Sequence, residues 1–332
     1  MPAYVEAVPR YYQRIGAPLG EGDILATTGG SEALQMAMSC ILDEGDEILI
    51  PEPFYTNYNT FVHVAGGSIR PVPSSPEEGY RYAERSRIEP LITERTRAIL
   101  VTNPGNPTGT VLTPEEMQLI ADIAREHGLF LVADEVYREF VYGGEPLSTF
   151  LTTPGIEENL IVVDSVSKRF SACGARVGAL ISRNPEFIAQ AMKLCQGRLC
   201  SATLDQLGAS ALYSVDPDYF NATRDEYRRR RNACVEGLHK IPGVVCGEPK
   251  GAFYLMAKLP VDDADRFQTW LLEEFEDQGE TLMFAPGEGF YGTPGKGKDE
   301  IRIAYVLNEA DIRRSMELLG IAIDRYRKEK MA

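Results

Sequence analysis

Along the first two thirds of the chain the apolar positions change period again and again. SEALQMAMSCILDEG (31–45) carries them at helical spacing and ends at Gly45, and EILIPEP (47–53) follows as a short unbroken apolar run. RAILVTNP, LFLVADEVY, NLIVVDS and RVGALIS repeat the strand-like run further on. Between them TPEEMQLIADIAREHG (113–128) reads as a helix with both ends marked. Thr113 caps it, Pro114 takes the first position, Glu116 completes a capping box and Gly128 stops it, with His127 in the closing turn as a cap. Near-continuous apolar strands alternating with helices predict an α/β architecture with a mainly parallel sheet covered on both faces.

The last third changes character. DYFNATRDEYRRRRNACVEGLHKIPG (218–243) predicts a long, polar-faced helix able to link two domains. GAFYLMAKL, a helix over ADRFQTWLLEEFEDQG, TLMFAPG, EIRIAYV and a terminal helix from about Asn308 then suit a smaller α+β unit. The expected division is a large domain over residues 14–218 and a small one over 219–332, with residues 1–13 packing alongside the latter. A chain of 332 residues is long for one core, which agrees with two units.

Charge and composition narrow the partners. The net charge of −15 makes nucleic acid and anionic membranes poor partners, so an anionic ligand needs a local basic pocket. No stretch is apolar enough to span a bilayer, and the N-terminus lacks the basic head and apolar run of a signal peptide. The six cysteines form no CxxC and no zinc-spaced cluster, so they read as buried thiols of a cytoplasmic protein. The three histidines make no metal pair and no serine triad, and there is no P-loop and no GxGxxG. GTPGKGKDE (292–300) reads as a mobile basic loop rather than a nucleotide cradle.

In a doubly wound sheet, ligands bind outside the carboxyl ends of the strands. Three polar clusters fall there. Asp134, after LFLVA, is either a carboxylate that keeps a pyridine nitrogen protonated or a helix cap or structural ion pair. Lys168, in SVSKRFSACGARVG, is either a solvated lysine or an amine whose cationic neighbours, Arg169 and Arg176, favour its neutral nucleophilic form. NPGNPTG offers the amides of Asn103 and Asn106 from a turn-rich loop. Ahead of a helix, TTGGSEAL aims backbone N–H groups at an anion, unless Ser31 is a plain cap; Ser165, Ser167 and Arg176 can reach the same anion.

Taken in order, GGSEAL, PEPFYTNY, NPGNPTG, DEVY, SVSK with an arginine eight residues on, and RIAYV resemble the class I/II aminotransferases of fold type I, dependent on pyridoxal 5'-phosphate. The resemblance covers nearly the whole chain and is nearest to the aspartate type. It implies a seven-stranded sheet in the large domain and a homodimer. It implies Lys168 as the Schiff-base lysine, Asp134 as partner of the ring nitrogen, and Tyr137 and Asn106 as contacts of the ring oxygen, Asn106 also orienting substrate. Tyr55 matches the aromatic stacked on the ring. Gly30, Ser31 and Glu32 match the phosphate-binding turn, used through backbone N–H, and Ser165, Ser167 and Arg176 the rest of the phosphate cup. Arg302 matches the residue that grips the α-carboxylate. The implied reaction moves an amino group from an L-amino acid to a 2-oxo acid. A β-eliminating enzyme such as a carbon–sulfur lyase, or a cofactor-binding sensor without turnover, would use the same Lys168. Relatives of this kind carry some tens of residues ahead of MPAYVEAVPRYY, and the chain is expected to begin after that segment.

Overall fold

The computed structural model describes residues 2–142 and 147–331. Eleven strands among these residues form two sheets. The larger joins β1 (Ile24–Thr27), β2 (Glu47–Pro51), β3 (Ser68–Val72), β4 (Thr96–Thr102), β5 (Phe130–Asp134), β6 (Leu160–Ser165) and β7 (Gly178–Ile181) in the order β3-β2-β4-β5-β6-β7-β1. The sheet is mainly parallel; β7 alone runs against its neighbours β6 and β1. Of its central strands β6 is buried throughout, and β4 and β5 are buried over most of their length, as the apolar runs require, with helices on both faces.

The smaller sheet has the order β10-β11-β9-β8, from β8 (Val245–Cys246), β9 (Tyr254–Lys258), β10 (Ala285–Pro286) and β11 (Glu300–Ala304). It packs on helices Ala264–Glu273 and Glu309–Lys330 around a second core that holds Phe267, Trp270, Leu319 and Tyr326. The Pro217–Leu238 helix serves both cores: Phe220 lies in the first, and Ala233, Cys234 and Leu238 lie in the second.

Several ends obey local chemistry. Thr113 accepts from Glu116 N, and Glu116 Oε2 accepts from Thr113 N at 2.8 Å, so the expected capping box forms. His127 closes the helix, and Gly128 follows at φ +64. Elsewhere tertiary contacts override the pattern. TLMFAPG contributes only Ala285–Pro286 to a ladder, because Phe284 N–H donates to Gln268 Oε1 (2.8 Å) and Thr281 Oγ1 to the Leu271 carbonyl (2.8 Å). The helix expected to reach Gly279 stops at Glu273, where an acidic run meets the negative end of the helix dipole. Of the six cysteines, all free, only Cys234 is buried, while Cys173 and Cys200 are exposed.

The N-terminal segment departs most from expectation. Residues 2–14 form a helix that packs on the large sheet's core and not beside the C-terminal unit. Tyr4, Val8, Tyr11 and Tyr12 recur at one helix face, and Tyr4 and Tyr11 meet Tyr213 edge-on at 6.0 and 5.9 Å. Tyr12 donates to Asp164 Oδ2 (2.9 Å) and Tyr11 to Glu139 Oε1 (2.6 Å). Asp164 also pairs with Arg138 and Arg169, each about 1% exposed at its side chain. A buried ion pair broken on one side leaves the remaining charges uncompensated. Asp164→Asn is therefore expected to destabilise the protein by about 3–5 kcal/mol, read as a lowered urea midpoint with an unchanged slope.

Candidate active site

The carboxyl ends of β4, β5 and β6 open on one cavity of about 330 Å³. It is lined by Gly30, Ser31, Tyr55, Asn106, Asp134, Tyr137, Ser165, Ser167, Lys168, Arg176 and Arg302. Of the site residues read from the sequence, Glu32, Asn103 and Arg169 do not line it. The Glu32 side chain turns away: its Oε2 accepts from Thr28 N (2.6 Å) and its Oε1 pairs with Arg198 Nε (2.9 Å), so it fastens the helix start. Only its backbone remains in the turn. The helix itself begins at Gly29, with Thr28 and not Ser31 as the capping position.

One end of the cavity suits a phosphate. The first N–H groups of the Gly29–Ile41 helix have no helical acceptors and sit at the positive end of its dipole. Ser165 Oγ lies 2.7 Å from Ser167 Oγ and accepts from Ser167 N (3.1 Å). Arg176, at φ +51, lays its guanidinium directly over Gly29. A Cβ on Gly29 would stand 2.6 Å from Arg176 Nη2, and its own φ is +76, so only glycine suits this position. Arg169, the other arginine beside Lys168 in sequence, points away from the cavity to Asp164 and stacks its Cζ 4.5 Å from the Tyr11 ring centroid.

Asp134 occupies the floor. Its Oδ2 accepts from Tyr58 OH (2.7 Å), whose oxygen is 2.6 Å from Thr102 Oγ1, and its Oδ1 from Val136 N (3.4 Å). Loss of hydration pushes its carboxyl up to about 6, against the Tyr58 hydrogen bond, the Val136 N–H and the Lys168 charge, which pull it down. Burial and the Asp134 carboxylate hold the Tyr58 phenol well above its ordinary range, so it stays a donor. Lys168 Nζ sits 5.8 Å from the Tyr137 ring centroid, and Tyr137 OH lies 3.4 Å from Tyr254 OH.

The opposite end suits a carboxylate. Arg302 projects from β11 with Nη1 3.1 Å from Asn106 Oδ1. Its guanidinium carbon lies 4.6 Å from the Tyr254 ring centroid and 4.8 Å from that of Phe290. Its Nε is buried and has no hydrogen-bond partner among the described residues. Of the two asparagines in NPGNPTG, only Asn106 faces the cavity. Asn103 Oδ1 instead accepts from Leu112 N (3.0 Å) and holds the loop's return.

Tyr58, Thr102, Tyr254 and Phe290 belong to the site and were missed. Tyr58 stood inside the quoted PEPFYTNY, three residues past Tyr55, and its helical neighbourhood was the available signal. Nothing local marked Tyr254 or Phe290, whose roles arise from pairing between distant strands and loops.

With this geometry in hand, the comparisons agree. The profile for aminotransferase class I and II matches residues 2–318. An aspartate aminotransferase of Streptomyces avermitilis is 33% identical over 312 residues, covering 90% of this chain and 73% of its own. The aspartate/prephenate aminotransferase of Thermus thermophilus is 30% identical over 331 residues, 98% of this chain and 82% of its own. Among solved structures, the aspartate aminotransferase from Thermus thermophilus with maleate superposes with a TM-score of 0.85 at 30% identity, covering 97% of this chain and 82% of that one. The aromatic aminotransferase from Pyrococcus horikoshii OT3 gives 0.88 at 28% identity, covering 100% and 87%. The chain belongs to the aminotransferase class I and II family, and it is a transaminase of fold type I.

Proposed function

We propose that the cavity holds pyridoxal 5'-phosphate and moves an amino group from an L-amino acid, L-aspartate foremost, to a 2-oxo acid such as 2-oxoglutarate. The observation that carries this reading is the convergence of Lys168, Asp134 and Arg302 on one cavity with an anion cradle at its rim. The bare residues fit the group. Asp134 is a buried carboxyl held high by loss of hydration, where a cationic ring nitrogen would find a partner; Arg302 Nε is a buried donor with no acceptor among the described residues; and Gly29 leaves room for the Arg176 guanidinium beside the helix start.

Gly30, Ser31, Ser165, Ser167 and Arg176 would hold the phosphate, Tyr55 the ring face, and Tyr137 and Asn106 the ring oxygen. Bound there, the cofactor supplies an aldehyde that condenses with amines and a ring that accepts electrons from the substrate Cα. Asp134, once ionised, holds a proton at the ring nitrogen, and Tyr58 keeps that carboxylate oriented. Lys168, whose amine faces the cavity, would take up and return the proton at the substrate Cα. Arg302 and Asn106 fix the α-carboxylate so that this Cα–H bond is presented to Lys168.

The aspartate preference is supported by relatives named as aspartate and aspartate/prephenate aminotransferases. A cytoplasmic setting is supported by six free cysteines, and no helix among the described residues is long and apolar enough to cross a membrane. A homodimer is supported by an apolar strip along helices Pro185–Arg198 and Thr203–Leu212 and the turn between them, where Leu199 in the turn is 79% exposed and Leu204 on the second helix 81%. The strip adjoins the phosphate cradle through the Arg198–Glu32 pair.

Borohydride reduction with the cofactor bound should mark the peptide carrying Lys168, and Lys168→Ala should abolish that label and the keto acid product across an amino-acid panel. A label on another lysine overturns the assignment. Replacing both Leu199 and Leu204 by Arg should shift the protein to monomer in sedimentation and weaken cofactor retention. The Asp134 carboxyl carries a pH signature of its own. Its folded-state value lies above the unfolded one, so its cost is absent below 3.8, grows as pH rises and is complete above about 6. At about 1.4 kcal/mol per unit, the penalty at pH 7 is on the order of 3 kcal/mol. Asp134→Asn should therefore raise the melting midpoint of the cofactor-free protein at pH 7 and have little effect near pH 4.

A further inference from the structure

Strand β2 runs out into a carboxylate that the chemistry above does not use. Glu52 is 1% exposed, yet both of its oxygens are filled from a loop of the other core. Its Oε2 accepts from Gly292 N (3.1 Å) and Thr293 N (3.0 Å), and its Oε1 from Thr293 Oγ1 (2.9 Å) and Lys296 Nζ (3.0 Å). The basic loop GTPGKGKDE is thus tied down by a buried acid, against the expectation of a mobile connector. From the same strand end, Phe54 N donates to the Phe290 carbonyl (2.8 Å). The loop's other shoulder is held by Glu300, which accepts from Tyr291 OH and Tyr80 OH, each at 2.8 Å.

Phe290 directly precedes the tied residues, with its ring centroid 4.8 Å from the Arg302 guanidinium carbon. We propose that Glu52 is a positioning residue for substrate: it holds the 290–296 loop so that Phe290 covers Arg302 and keeps the guanidinium turned to Asn106 and the α-carboxylate. The inference rests on the reading of Arg302 as the carboxylate-binding residue. A desolvated carboxylate is retained only where its partners are fully engaged, and here the partners come from the segment that caps Arg302. The segment from Glu52 to Tyr58 then serves both halves of the site. Glu52 sets the substrate arginine through the loop, Tyr55 faces the ring, and Tyr58 orients Asp134.

The test uses the holoenzyme and measures KM and kcat for L-aspartate, L-glutamate and L-tyrosine, with cofactor affinity by absorbance titration. Glu52→Gln keeps the size, cannot pair with Lys296 and should raise KM about tenfold for all three donors. Cofactor affinity should be unchanged and kcat should stay within about twofold. The three donors must shift together, because the α-carboxylate is their shared group. Lys296→Met and Thr293→Val, on the loop itself, should each raise KM about threefold. They decide the matter if Glu52→Gln does not fold, and normal KM in both overturns the proposal. So does an equal loss of cofactor and substrate binding in Glu52→Gln, which would make it a fold anchor alone. Arg302→Ala separates the two layers. Unchanged donor affinity in that variant overturns the Arg302 reading, whereas its loss beside a normal Glu52→Gln overturns only the positioning role.

Discussion

Asp164 is fully buried between two guanidinium groups, and the corner that carries Lys168 is built on that pairing. Arg169 closes the same turn as Lys168 and is drawn inward to Asp164, so the lysine is left facing the cavity. Arg138 bridges Asp164 to Glu135, and through Tyr11 the charges continue to Glu139 and Arg224. Three carboxylates and three guanidinium groups thus form one connected network, desolvated except at Arg224, whose side chain is 25% exposed. Their pairing offsets much of the cost of leaving water, although Arg169 Nη1 is buried with no hydrogen-bond partner among the described residues. The N-terminal helix contributes two tyrosine hydroxyls to the same group, which is why it lies on the large sheet's core.

The division of labour between neighbouring arginines follows from this arrangement. Arg169 and Arg176 flank Lys168 in sequence, and both had been counted as cations of the site. One is consumed by structure and the other by the cradle at Gly29. The chain's overall negative charge is therefore locally reversed by a few groups that line the cavity: Arg176 beside Gly29, Arg302 from β11 and Lys168. Asp134 is the single lining carboxylate among the described residues, and loss of hydration holds it high although the Lys168 charge pulls it down.

Much of the fold was legible because strand ends and helix caps are local events. The capping box at Thr113, the stop at Gly128 and the polar residues that follow LFLVA and NLIVV could each be read within a dozen positions. Asp134 and Lys168 were found by that route. What escaped depends on partners far apart in sequence. The tyrosines of the first helix have helical spacing, but nothing local says that Tyr4 meets Tyr213. Glu52 looks like an ordinary surface acid until Thr293 and Lys296 are folded against it. TLMFAPG has the composition of a strand, and side-chain contacts from the adjoining helix displaced its ladder. Glu32 was expected to serve the turn through its backbone, and its carboxylate is engaged elsewhere, by Thr28 N and Arg198.

The Pro217–Leu238 helix commits its first turns to one core and its last turns to the other. An α-helix advances about 1.5 Å and rotates about 100° with each residue. One added or deleted residue in its middle would swing Ala233, Cys234 and Leu238 away from the small sheet while Phe220 stayed in place. The helix therefore behaves as a keyed spacer: point changes on its arginine-rich outer face are tolerable, but its length is not free to drift.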